Sequence, residues 1–166
     1  MTTTMRKDSI IQSWEQIIGG AAGHTKWVYE KTIENLKHAN IPSMTYKLDD
    51  VTTDMFGIKR EFLILYNQML RDYRMFIGVR DYGAHLDASW FVTLMPRGLK
   101  RALSKYTTGN PYAFSQQMDM FNQQDLNAWV SVSNEMFQLA LKDLAEEVKF
   151  DPSILNKQSR GYLNVW

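Results

Sequence analysis

The alternation of apolar and polar residues between Glu61 and Leu94 lays out three strands whose register can be read from the chain itself. In Tyr73 to Arg80 the odd positions Tyr73, Met75, Ile77 and Val79 are apolar, and in Leu86 to Leu94 the even positions Leu86, Ala88, Trp90, Val92 and Leu94 are. Successive strand side chains point to opposite faces, so both sets share a face only if Val79 opposes Ala88, Ile77 opposes Trp90 and Met75 opposes Val92. That pairing closes on Tyr82-Gly83-Ala84-His85, with Gly83 at the first central position of a type II′ turn, where φ must be positive. A third strand over Glu61 to Tyr66 adds Phe62, Ile64 and Tyr66 to the same face if Asn67 to Asp72 forms the next turn. The opposite face then carries Leu63, Leu65, Phe76 and Phe91 as an apolar centre, edged by Glu61, Arg74, Arg80, Asp87 and Thr93. A water-facing antiparallel sheet alternates more cleanly than this. The half-apolar second face is therefore a candidate binding surface.

Helical spacing flanks the strands. Ser9 is placed to cap a helix over Ile10 to Ile18, which Gly19-Gly20-Ala21-Ala22-Gly23 ends. Thr25 to Ala39 gives a second helix with Val28, Ile33, Leu36 and Ala39 on one side, stopped by Asn40-Ile41-Pro42. Ser43 to Leu48 reads as a strand running into an acidic turn at Asp49-Asp50. After the sheet, Pro96 opens a short helix over Arg97 to Tyr106, and Thr107 to Pro111 breaks it. From Tyr112 to Val148 the pattern is helical in two pieces, with Asn122 and Asp125 resembling a variant capping box. Its apolar stripe, from Leu126 through Trp129, Phe137 and Leu141 to Val148, is wide enough to cover a sheet; Asp151-Pro152 ends it. The predicted fold is α+β, with a three- or four-stranded antiparallel sheet (strands about 43–48, 60–66, 73–80 and 86–94). The long C-terminal helix covers the apolar face, and the N-terminal helices pack alongside or on the second face. Residues 1–166 are expected to form a single domain, with no repeat or change of composition to divide them.

Composition narrows the classes. A chain of 166 residues buries about 68–70% of its unfolded surface, so no staple is required. Cysteine is absent, which excludes disulfides and cysteine-ligated zinc. The first residues, Met1-Thr2-Thr3-Thr4-Met5-Arg6-Lys7-Asp8, lack the apolar core of a signal peptide, and no apolar run approaches the roughly 20 residues needed to cross a bilayer. A cytoplasmic protein without membrane contact is expected. The net charge of +1 exerts no general pull on nucleic acid or anionic lipid.

Four features of the chain bear on chemistry. The cluster from Gly19 to Lys26 lacks the lysine that directly follows the last glycine of a phosphate loop, because His24 follows Gly23, and it reads as a joint. At the hairpin tip the register sets Arg80 against Asp87 and Tyr82 against His85 on one face. This cluster suits small acid/base chemistry, or no more than a solvated ion pair. His24, His38 and His85 stand at unrelated spacings, so neither a metal nor a cofactor is expected. Arg97, Lys100, Arg101 and Lys105 form a basic helix side in a stretch from Thr93 to Met118 free of Asp and Glu, followed by the acidic segment from Asp119 to Asp151. Such asymmetry reads first as a solvated face, then as a surface for contact with protein acids, and least as one for nucleic acid, because four cations neutralise few phosphates. The apolar tail ending in Trp166 is expected to dock on its own domain or a partner.

Two readings follow. In the first, the chain is a non-catalytic binding or assembly protein, a homodimer, acting through Leu63, Leu65, Phe76 and Phe91, through the basic helix, or through Trp166. In the second, it is a small ligand sensor or acid/base enzyme built on Arg80, Tyr82, His85 and Asp87. The interface reading accounts for more of the distinctive residues. Whether there is catalysis is not decided by any spacing in the chain.

Overall fold

A computed structural model describes residues 3–53, 57–95, 105–110 and 118–148, together with the backbone of 159–161. Seven strands form one sheet in the order β1-β3-β4-β5-β6-β2-β7. In chain order they are β1 (Thr3–Thr4), β2 (Ile10–Ile18), β3 (Met44–Thr52), β4 (Arg60–Asn67), β5 (Tyr73–Tyr82), β6 (His85–Leu94) and β7 (Ser159–Gly161). Helix α1 (Thr25–Ala39) follows β2, and the long helix α2 (Met120–Glu147) follows the sheet. Every pairing is antiparallel except that of β1 with β3.

The central hairpin has the expected register: Val79 faces Ala88, Ile77 faces Trp90, Met75 faces Val92, and Tyr82 faces His85. Gly83 has φ 62°, as the turn requires. Strand β4, however, is offset by one residue from the expected pairing, with Leu63 opposite Ile77 and Leu65 opposite Met75. The connection explains the slip. Asn67 belongs to β4, its Oδ1 accepts from Met69 N–H at 2.9 Å, and its carbonyl accepts from Leu70 N–H at 3.2 Å. The loop is thus one residue shorter than Asn67 to Asp72, and in a period-2 element one residue exchanges the faces. Leu63 and Leu65 accordingly lie in the main core, fully buried, and Phe62, Ile64 and Tyr66 lie on the second face.

Residues Ile10–Ile18 form a strand, not the expected helix. Their helix-facing positions are Gln12, Trp14, Gln16 and Ile18, all buried. Two buried glutamines interrupt the apolar alternation, so the period of 2 is invisible in the sequence. A bulge between Ile10 and Gln12 directs Ile10 to the second face. Ser9 Oγ donates to Arg6 O at 2.6 Å and closes a 3-10 turn over Lys7–Ser9 instead of capping a helix. Strand β3 runs on through Asp49 and Asp50, where a turn was expected. Helix α1 has the expected limits and stops at Asn40, in the left-handed region at φ 48°. Helix α2 begins earlier than Asn122, because Asp119 is the cap and accepts from Asn122 N–H at 2.9 Å.

Both helices pack on one side of the sheet. The main core joins Leu63, Met75, Ile77 and Trp90 to Val28 and Leu36 of α1 and Val130, Phe137 and Leu141 of α2. Trp90 Nε1 donates to Asn134 Oδ1 at 2.8 Å, and Trp14 meets Phe137 edge-on at 6.1 Å between ring centroids. A second, smaller core of Met5, Val51, Phe62, Ile64 and Phe76 lies on the other face.

The N-terminal segment shapes that other face. β1 lies beyond β3 at one side of the sheet and β2 beyond β6 at the other, five strand steps apart. On a flat sheet this is about 24 Å, whereas the six residue steps from Thr4 to Ile10 reach at most about 22 Å even fully extended, and the 3-10 turn over Lys7–Ser9 shortens them further. The sheet is therefore rolled towards its second face. Met5, whose N–H donates to Thr52 O at 2.8 Å, is carried across that face as part of a strap.

Candidate functional site

The site begins where β4 and β5 part. Their pairing runs from Tyr66–Arg74 to Leu63–Ile77. Two positions further on, the hydroxyl of Tyr29 stands between the strands, donating to Glu61 O at 2.9 Å and accepting from Val79 N–H at 3.0 Å. A side chain from α1 thus replaces the direct backbone bond and holds the strands apart. Burial pushes the Tyr29 phenol above its ordinary pKa of 10.0, the Val79 backbone bond opposing this in part, so the hydroxyl remains protonated and able to donate.

Beside this parting, the second face has a shallow floor. Gly78 lies opposite Ser89, two small residues at the middle of the sheet. A Cβ on Gly78 would collide with the ring of Phe62, so the glycine lets that ring lie flat on the backbone. Phe62 meets Phe76 at 6.3 Å and Phe91 at 6.2 Å, both edge-on, which makes an aromatic wall. The next pair towards the hairpin tip is Arg80 and Asp87. Asp87 is buried; its Oδ2 accepts from Arg80 Nε at 2.6 Å, and its Oδ1 is buried without a hydrogen-bond partner among the described residues.

Phe62, Gly78, Arg80, Asp87, Ser89 and Phe91 line a cavity of about 930 Å³, with Phe76 buried behind Phe62. Met5, Ile10, Val51 and Ile58 complete its apolar surface, and Lys7, Glu15 and Arg60 stand at the rim. Among the described residues none of these three rim charges has an ion-pair partner. The arrangement provides an apolar bed for a small molecule, bordered by guanidinium and ammonium donors and by the carboxylates of Glu15, Glu61, Asp81 and Asp87.

The expected site residues are distributed unevenly around this cavity. Phe91, Arg80 and Asp87 line it, and Phe76 forms part of the aromatic wall. Leu63 and Leu65 face the helices instead. Tyr82 is 61% exposed, with the Arg80 guanidinium 5.5 Å from its ring centroid, and it lies with exposed His85 at the tip, outside the cavity lining. The cluster of four thus divides into a cavity pair and a solvent pair. Lys105 is exposed in a helical turn over 105–108, whereas Arg97, Lys100, Arg101 and Trp166 lie outside the described residues. Among the described residues, no three His, Asp or Glu side chains gather as metal ligands, and no helix is long and apolar enough to cross a membrane.

Sequence reasoning missed Gly78, Ser89, Phe62, Arg60 and Tyr29. Gly78 alone carried a usable sign, since an isolated glycine inside a strand marks close approach of another group. Compared with known proteins, the chain matches no family model, no curated protein and no solved structure.

Proposed function

We propose that the protein is a non-catalytic binding protein that takes a small amphipathic molecule into the hollow of its second sheet face. The observation that carries this reading is the cavity of about 930 Å³, within the roughly 300–1,000 Å³ typical of small-molecule sites. It combines an aromatic wall over Gly78 with polar and charged side chains that can fix a ligand's orientation, as small-molecule sites do. Binding is favoured over acid/base chemistry at the tip because His85 and Tyr82 are exposed and Asp87 is already engaged by Arg80.

Ser89 is half-buried on the floor of the hollow, and a large side chain there would occupy the ligand's volume without entering the main core. In a thermal-shift screen of amphipathic fragments, at least one class is expected to raise the melting temperature of the native protein, since binding to the folded state stabilises it by mass action. The rise is expected to vanish in Ser89→Trp, with the fold retained by circular dichroism. A screen in which nothing stabilises the native protein, or in which the same compounds stabilise Ser89→Trp equally, would overturn the reading.

A further inference from the structure

We infer that the molecule held in this cavity is an organic anion, an apolar body carrying a carboxylate or an equivalent acid, with its charge seated between Arg60 and Arg80. The inference rests on the proposed binding role of the cavity. Its starting point is the pair of arginines that come level where β4 and β5 separate; Glu61 and Asp81, which also line the cavity, occupy the alternate, helix-facing positions of the same strands, and Asp81 Oδ1 already accepts from Gly23 N–H at 2.9 Å and from Thr25 Oγ1 at 3.2 Å. Continuing the β4–β5 register beyond Leu63 opposite Ile77 brings Arg60 level with Arg80, and both line the cavity. Like charges on directly opposed strand positions repel, and here only one carboxylate, Asp87, is bonded to either arginine. Asp87 receives the Arg80 Nε–H, which leaves the terminal nitrogens of Arg80 with no hydrogen bond among the described residues. Arg60 is exposed and has no ion pair among the described residues. Two guanidinium groups with spare donors, facing one opening, make a seat suited to the planar, two-oxygen geometry of a carboxylate.

The surroundings agree with that assignment. Lys7 adds a third cation at the rim. Of the carboxylates that line the cavity, Asp87 is bonded to Arg80 and Asp81 to Gly23 and Thr25, while Glu61 and Glu15 have no ion pair among the described residues; Glu15, on the second face, sits on β2, two strands from Arg80 and level with Ser89. Two strand spacings are about 10 Å, far enough for an acid group at the arginine end to avoid most of that repulsion in screened solution. From the arginines the cavity leads over Gly78 to Phe62 and Phe91, so an anion seated there directs its apolar part onto the aromatic wall.

Three probes with one apolar body separate head-group recognition from pocket binding: 1-naphthaleneacetate, 1-naphthaleneacetamide and 2-(1-naphthyl)ethylammonium, titrated calorimetrically into the full chain. The acetate is expected to bind at least ten-fold more tightly than the amide, the ammonium more weakly than either, and the acetate's advantage to shrink with added salt. In Arg60→Gln, an exposed position whose replacement leaves the fold intact, the advantage is expected to fall below about three-fold while the amide is unaffected. Arg80→Gln is expected to do the same, read alongside its melting temperature because it also removes the partner of Asp87. Equal binding of acetate and amide, a preference for the ammonium, or an acetate preference that survives in both variants would overturn the anion assignment and leave the cavity as a binding site. Failure of all three to bind would remove the cavity reading together with this one.

Discussion

At the scale of single residues, the site is made by two atoms' worth of space and one hydroxyl. Gly78 gives Phe62 room to lie on the sheet, and Tyr29 supplies through its side chain the bond that Glu61 and Val79 would otherwise make directly. In the sequence Gly78 shows only as a lone glycine inside a strand pattern, and Tyr29 shows not at all. Tyr29 falls on a helix with ordinary spacing, and nothing local says that its hydroxyl reaches a gap between strands 32 and 50 residues away. Tyr29→Phe leaves the Glu61 carbonyl and the Val79 N–H without their partner and is expected to cost about 1–3 kcal/mol near neutral pH. The sign of its pH dependence follows from the raised phenol pKa. The folded state holds the proton more tightly than the unfolded chain, so the stability due to Tyr29 is fully present below pH 10.0 and is lost as pH rises above it. Denaturant melts of both proteins across this range check the point: the gap between native protein and Tyr29→Phe is expected to narrow above the ordinary phenol pKa, and a constant gap would show that the hydroxyl is not buried as described.

At the scale of elements, the chain was most legible where one pattern acted alone. The β5–β6 hairpin shows clean alternation and a glycine where its turn needs one, and its register followed from these. β4 was assigned to the right residues but the wrong faces, because Phe62 to Tyr66 is apolar at every position and only the Asn67 turn fixes the parity. β2 reads as a helix in the sequence because buried Gln12 and Gln16 stand where apolar residues would reveal a strand. The tertiary setting decided both. Trp90 shows how firmly the elements are then joined: fully buried on β6, it packs in the main core and donates to Asn134 of α2. Trp90→Ala is expected to lose about 3–5 kcal/mol in urea melts, and a loss below about 1 kcal/mol would contradict its place between sheet and helix.

At the scale of the whole molecule, among the described residues α1 and α2 occupy one face and the N-terminal strap crosses the other. A segment reaching at most about 22 Å that bridges five strand steps goes with a sheet rolled towards the second face, where the half-apolar surface forms a hollow. The sequence showed that this surface was unusual. The exchange of faces in β4 and the strap's crossing, which no local pattern encodes, determined which residues line it. The central claim is that this hollow is where the protein binds its ligand. Crystals soaked with a set of aromatic fragments test it most directly. The account predicts fragments seated over Gly78 and Ser89, against Phe62 and Phe91 and within reach of Arg80. Fragments found only at the helical side or around Tyr82 and His85, with the hollow left empty across the set, would contradict it.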